Sequence, residues 1–250
     1  MKPVPPAAPQ PLDLAERGAG GATSDTRLFM QLLCWTDAPS GGTDTRSGAL
    51  PAALDAAAGP DHGAVLYEAV NDPRGIAVLT WSTDPAHLVA ATRAPPRAEA
   101  FAALTPLPAF TMFGRSYTIG YERDLDETLV QRPIRTALNP DWPWAVWYPL
   151  RRAGAFSRLP DDEQKEILKE HGTIGMRFGG SDHAHDIRLA CPGLDPNDND
   201  FVIGLTGKAL APLSQLVQTM RGTVQTSQYL EKLGPFFVGR AVHRVPSVAT

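Results

Sequence analysis

The apolar positions of this chain fall into short runs that repeat one order of elements twice. Arg27 to Trp35 reads as an apolar strand, and Gly48 to Ala58 predicts a short helix with Ser47 as its cap and Pro51 in its first turn. Ala64 to Val70 and Gly75 to Trp81 read as strands joined by the turn-forming cluster Asn71-Asp72-Pro73-Arg74. A helix is expected from Asp84-Pro85, where the carboxylate caps and the proline suits the first turn. Phe110 to Tyr121 then alternates as a further strand. This order, β-α-β-β-α-β, is that of a ferredoxin-like unit.

The second half gives the same order. Trp144 to Leu150 reads as a strand, Pro160 to His171 as a helix that Gly172 stops, and Leu210 to Met220 as a second helix. Asp186 to Cys191 and Phe201 to Thr206 are strands around the loop Pro192 to Asp200, and Phe236 to Val242 is the last strand. The pattern predicts an α+β protein of two tandem ferredoxin-like repeats whose sheets close into a dimeric α/β barrel. Its expected parts are a leader over 1–24, a repeat over 25–122, a linker over 123–142 that carries Arg132 and Arg135, and a second repeat over 143–245.

Composition narrows the function classes. Of the 250 residues 43% are hydrophobic, enough for a full core, and the net charge of −4 with dispersed basic residues gives no reason to expect nucleic acid. No apolar run reaches the roughly 18 residues that a membrane span needs. The first 24 residues are rich in Pro, Ala and Gly, with Glu16 and Arg17 but no apolar h-region. They predict a floppy leader rather than a signal peptide, and a cytoplasmic protein. Cys34 and Cys191 sit in apolar runs as buried thiols, without a CxxC pair. Nucleotide, hydrolase and zinc-peptidase motifs are absent from the sequence.

Four features carry candidate chemistry. His171 has Ile167 at i−4 and Leu168 at i−3, which puts the imidazole on an apolar face, as a metal ligand or as a packed, capping residue. At the helix end the negative pole of the dipole would stabilise its cation. Tyr148 shares a strand face with Val146 and Leu150, opposite Trp147, either as a core aromatic or as a phenol in an apolar cavity. Arg152 lies on that same face and, with Arg221 and Ser227, suits a carboxylate; each is equally readable as a solvated surface residue. Asp182-His183-Ala184-His185-Asp186 reads as a mobile loop after Gly179-Gly180 more readily than as a zinc site. An imidazole facing an oxidisable phenol, with guanidinium groups nearby, is the residue set that a haem or porphyrin pocket needs.

Several motifs occur in an ordered series: Trp147-Tyr148-Pro149-Leu150-Arg151-Arg152, Leu159-Pro160-Asp161-Asp162-Glu163, Glu170-His171-Gly172, Gly193-Leu194-Asp195, Asp200-Phe201 and Gly234-Pro235-Phe236-Phe237-Val238-Gly239. The series resembles the chlorite dismutase family, which includes the coproheme decarboxylases of bacterial haem synthesis. The likeness is strong over residues 140–242 and weak before them. It implies paired ferredoxin-like repeats, a homo-oligomeric ring of five subunits, haem b or iron coproporphyrin as ligand, and hydrogen peroxide as co-substrate. By the same resemblance His171 matches the proximal iron ligand, and Tyr148 matches the tyrosine that becomes a radical and attacks a propionate. Arg152, Arg221 and Ser227 match positions that hold propionates. The separation of Tyr148 and His171, 23 positions, is similar to that of actinobacterial-type decarboxylases.

This chain departs from the family pattern at three places. Chlorite dismutases carry a distal arginine where this chain has Ala184, whose charged neighbours are Asp186 and, further on, Arg188. They carry a glutamate beside the proximal imidazole where this chain has Thr206. Some decarboxylases use a distal histidine base where this chain has Gln131, which donates a hydrogen bond but takes up no proton near neutral pH. The first two departures disfavour chlorite decomposition. The expectation is a haem-dependent oxidoreductase that converts iron coproporphyrin to haem b; the alternatives are a member that binds haem without turnover and one that keeps only the scaffold.

Overall fold

Eight strands close into a ring in the computed structural model, which describes residues 12–37, 48–57, 59, 63–91, 99–102 and 104–246. The first four are β1 (Phe29–Asp37), β2 (Gly63–Ala69), β3 (Gly75–Ser82) and β4 (Met112–Arg115), in the spatial order β4-β1-β3-β2. The second four are β5 (Trp144–Arg152), β6 (His185–Ala190), β7 (Phe201–Gly207) and β8 (Phe237–Val245), in the order β8-β5-β7-β6. Each is the ferredoxin-like order 4-1-3-2. The two sheets join along β2 and β8, from Gly239 opposite Ala69 to Val245 opposite Ala64, and at Arg115 opposite Ala190. The expected pair of repeats and the closed barrel are both present.

Closure explains why the strands read as apolar on both faces. β3 is buried at every position because one face lines the barrel and the other is covered by helices. The interior holds Met30, Leu32, Tyr67, Leu79, Trp81 and Trp147, contributed by both repeats. Outside the first repeat, α1 (Ala49–Ala57) lays Leu50 and Leu54 on Trp35, Leu66 and Val78. α2 (Pro85–Ala91) begins as expected, with Asp84 Oδ1 accepting from the Ala86 amide at 2.9 Å. The proposed cap Ser47 lies outside the described residues. Cys34 and Cys191 are buried and unpaired, and burial pushes both thiols up to about 12.

Four segments differ from the sequence expectation. Residues 12–24 are folded onto the barrel: Glu16–Arg17 pairs with Thr23–Ser24, and the Ala19 amide donates to Glu122 O at 2.8 Å. The stretch 123–142 contains a π-helical turn, Glu127–Gln131, and α3 (Arg132–Leu138), which send Leu129, Val130 and Ala137 into the barrel core, where Leu125 just ahead of them also lies. The run from Phe110 to Tyr121 keeps strand geometry only at Met112–Arg115. The helix expected to stop at Gly172 is α4 (Asp161–Gly180). Its stripe Ile167, His171, Ile174, Phe178 continues at helical spacing, and packing on the sheet outweighs the low propensity of its glycines.

α4 and α5 (Leu210–Arg221) cover the outer face of the second sheet, enclosing Val146, Tyr148, Leu150, Leu205, Leu213 and Leu216. α6 (Val224–Tyr229) follows, capped by Thr223, whose side chain accepts from the Thr226 amide. No helix among the described residues is long and apolar enough to cross a membrane.

Candidate functional site

The register of the second sheet collects polar groups on one face. Ile203 stands opposite both Tyr148 and Arg188, and Leu205 opposite both Val146 and Asp186. Directly opposed residues share a face, so Asp186, Arg188 and Tyr148 all point toward α4. Phe237 is opposite Trp147, which sets Phe236 beside Tyr148. Their rings stack at 4.8 Å with an interplanar angle of 29°. Trp147 turns into the barrel, as the alternation predicts, and Arg152 falls on the Tyr148 face.

Tyr148 is 7% exposed. Burial raises its phenol pKa, and the Asp186 carboxylate raises it further, so the residue keeps its proton at any ordinary pH.

His171 faces this surface from the middle of α4, which corrects the expected position at a helix end. The dipole therefore gives its cation no help. Burial lowers the imidazole pKa below 6.5, and the Arg152 and Arg188 cations lower it further, against Glu170 and Asp186. Nδ1 lies 3.5 Å from Thr223 Oγ1. The Thr223 hydroxyl donates its hydrogen to Met220 O at 2.8 Å, so it accepts from Nδ1–H. That tautomer leaves the Nε2 lone pair available to a metal. The residue beside the imidazole is thus Thr223. Thr206 sits on the opposite, barrel-facing side of β7, two positions from Gly204, where a side chain would meet Trp147.

Arg152 is held without being neutralised. Its backbone N–H donates to Asp200 Oδ2 at 2.7 Å, while its guanidinium lies between the rings of Phe156 at 4.8 Å and Phe201 at 4.6 Å. Burial lowers its pKa, against the pull of Tyr117 and Asp200. Its Nε is buried without a hydrogen-bond partner. Arg188 Nε lies 2.8 Å from Asp186 Oδ2 but lacks hydrogen-bond geometry and is likewise unsatisfied. The Arg188 guanidinium therefore already has a carboxylate beside it, whereas the Arg152 Nε is a buried donor left without a partner.

Tyr117 completes the wall and was missed in the sequence. Its ring centroid is 5.5 Å from that of Phe201, tilted by 49°. Burial raises its pKa, while Arg188 and Arg152 pull it down and Asp186 and Glu122 push it up. The strand expected through this region gave the phenol no distinctive signal.

The remaining sequence candidates lie elsewhere on the surface. Ser227 is exposed and donates from Oγ to Thr223 O at 2.8 Å, next to the residue that contacts His171. Arg221 is exposed at the end of α5. Gln131 is exposed, and its Nε2 donates to Asp126 Oδ2 at 3.2 Å. The Asp182–Asp186 stretch forms a tied turn into β6 rather than a loose loop. His185 stacks on Trp142 at 3.5 Å and 13°, with Nε2 2.8 Å from Asp182 Oδ1, and Asp182 also pairs with Lys208. Among the described residues no group of three or more His, Cys, Asp or Glu suits a metal ion. A cleft of about 350 Å³ between α4 and α5 is lined by Arg177, Phe178, His183 and Gln215 among others, and by none of His171, Tyr148, Arg152 and Arg188.

The donor set fits an iron porphyrin: one neutral imidazole, apolar and aromatic walls, and the Arg152 guanidinium, whose Nε lacks a partner, for a carboxylate. Comparison with known proteins gives the family and the fold. The model of the family described as chlorite dismutase matches residues 82–242. A heme-binding protein from Thermus thermophilus is 21% identical, covering 86% of this chain and 91% of its own, with a TM-score of 0.66. The chlorite dismutase of Candidatus Nitrospira defluvii in complex with imidazole is 13% identical, covering 87% and 92%, with a TM-score of 0.69. At these identities the solved structures show a shared fold.

Proposed function

Because this chain belongs to the chlorite dismutase family, we propose that it binds an iron porphyrin between α4 and the outer face of β5–β7 and oxidatively decarboxylates iron coproporphyrin to haem b. The observation that carries the reading is the meeting of a neutral, Nδ1-anchored imidazole at His171, a buried protonated phenol at Tyr148 and the desolvated guanidinium of Arg152. His171 Nε2 would hold the iron, and Arg152, with the Arg188 cation nearby, would hold propionates. When bound, the iron porphyrin together with hydrogen peroxide supplies the oxidising equivalents.

Converting a propionate to a vinyl group releases carbon dioxide, one proton and two electrons, and peroxide takes up the electrons. Tyr148 contributes a phenolic hydrogen at Oη. Its burial disfavours the phenolate and so favours hydrogen-atom exchange over loss of a proton alone. The side chains around it exclude water from that exchange: Phe236 stacks on the ring, and Ile203 stands opposite on β7. Ala184, 4% exposed, brings no charge to steer an oxychlorine anion, which supports decarboxylation over chlorite decomposition.

One observation favours a second reading, a protein that binds haem without turning it over. Gln131 has its amide on Asp126 at an exposed position and supplies no base. Titration of the apoprotein with iron coproporphyrin, followed by peroxide and mass analysis, separates the readings. We expect a saturable Soret band and then two successive losses of carbon dioxide plus two hydrogens. Binding without a mass change supports the carrier reading, and absence of binding overturns both. The five-membered ring expected of the family is checked in the same preparation by sedimentation.

A further inference from the structure

The segment expected to trail from the fold ends its contacts next to the site, through Glu16. This carboxylate is 12% exposed at its side chain. Oε1 accepts from Arg27 Nε at 2.9 Å and from Arg115 Nη1 at 2.8 Å, and Oε2 accepts from the Thr118 amide at 3.1 Å. The Thr118 hydroxyl donates to Arg17 O at 2.8 Å, which ties the same strap a second time.

Burial opposes the charge on Glu16, but the Thr118 amide and the two guanidinium groups outweigh it, and the carboxyl stays below its ordinary range. The residue is therefore ionised at neutral pH, and its hydrogen bonds are of the stronger, charge-assisted kind.

Those bonds fall on both sides of Tyr117. The ladder of β4 ends at Arg115, paired with Phe29, so Tyr117 sits on backbone that no neighbouring strand holds. Ser116 is fixed by exchange with Leu28, its amide donating to Leu28 O at 2.8 Å and its Oγ accepting from the Leu28 amide at 2.9 Å. Beyond it, the nearest anchor is Glu16 at Thr118, ahead of Glu122, whose carboxylate accepts from the Ile119, Gly120 and Tyr121 amides. From Tyr117 the contact runs to Phe201 at 5.5 Å, and from Phe201 to the guanidinium of Arg152 at 4.6 Å.

We propose that Glu16 is a positioning residue: acting from the strap 12–24 through Arg115 and Thr118, it fixes Tyr117 against Phe201 and thereby keeps Arg152 aimed to receive a porphyrin carboxylate. The inference rests on the porphyrin reading above, and its test separates the two. Wild type, Glu16→Ala and Glu16→Gln are titrated with iron coproporphyrin as the free acid and as its tetramethyl ester, after thermal unfolding has shown that each is folded. Glu16→Ala should weaken the free acid roughly tenfold and leave the ester within about twofold, since only the acid engages Arg152. Glu16→Gln, which keeps an acceptor without the charge, should fall between.

A readout without porphyrin is deuterium exchange at the Thr118 amide of the apoprotein, which should quicken in Glu16→Ala. In a Tyr117→Ala background, adding Glu16→Ala should change affinity by less than about twofold, because the group it acts through is gone. Equal weakening of acid and ester, unchanged exchange, or additive effects in the double variant overturns the inference alone. A wild type that binds neither porphyrin overturns the porphyrin reading and this inference with it.

Discussion

At His171 burial and the two neighbouring guanidinium groups act in the same direction and outweigh Glu170 and Asp186, and the consequence depends on pH. Burial and two guanidinium groups disfavour the imidazolium, so below pH 6.5 the unfolded chain binds a proton that the folded chain refuses. The stability this residue contributes is complete above 6.5 and is lost as pH falls through the lowered folded value. A proton also competes with a metal for Nε2 only below 6.5. We predict that iron coproporphyrin affinity stays level between pH 8 and about 6.5 and falls only below; a midpoint above that value in a Soret titration would refute the environment described for the ring. His171→Ala should abolish iron ligation while the far-UV dichroism is retained, because the side chain is only half buried on an otherwise well-packed helix. Tyr148→Phe keeps the stacking on Phe236 and removes only Oη. It should bind the porphyrin normally and yield no vinyl product, and undiminished product in the mass spectrum would end its assigned role.

At the scale of the element, α4 shows packing overriding a local signal. Gly172 suggested a stop, whereas the stripe Ile167, His171, Ile174, Phe178 required the helix to go on past it and past Gly175 and Gly179. The glycines of this helix leave room for a side chain: a Cβ on Gly172 meets nothing within 4 Å, and one on Gly175 meets only Met220, at 3.8 Å. Gly172 is also exposed and has ordinary helical backbone. Gly172→Ala should therefore stabilise the protein by about 0.4–1 kcal/mol, by reducing the freedom of the unfolded chain. A urea midpoint that moved down instead would mean that Gly172 terminates the helix after all.

For the whole molecule, barrel closure makes one core out of two repeats. Trp81 from the first repeat and Trp147 from the second are both fully buried in the same interior cluster. Gly204 lies directly opposite Trp147, and a Cβ there would come within 2.5–2.7 Å of the indole. The indole is enclosed by the interior and has nowhere to move. Gly204→Ala should cost about 1–3 kcal/mol. Since the interior is shared, the loss should appear as one transition, with tryptophan fluorescence and far-UV dichroism moving together. Two separated transitions would show that the repeats are independent.

The order of elements, its repetition in the two halves and the common face of Val146, Tyr148, Leu150 and Arg152 were determined by the sequence alone. Each of these follows from alternation or spacing within a few residues, which the chain carries wherever it folds. The tertiary structure decided what depends on distant partners. His171 meets Thr223 across 52 positions and Glu16 meets Thr118 across 102. Tyr117 enters the site through the close approach of Phe201. The reach of α4 past its glycines, the folding of residues 12–24 onto the barrel and the helix within 123–142 belong to the same class. In each, burial against a surface contributed by another part of the chain outweighs local propensity, and no short window of residues contains both sides of that balance.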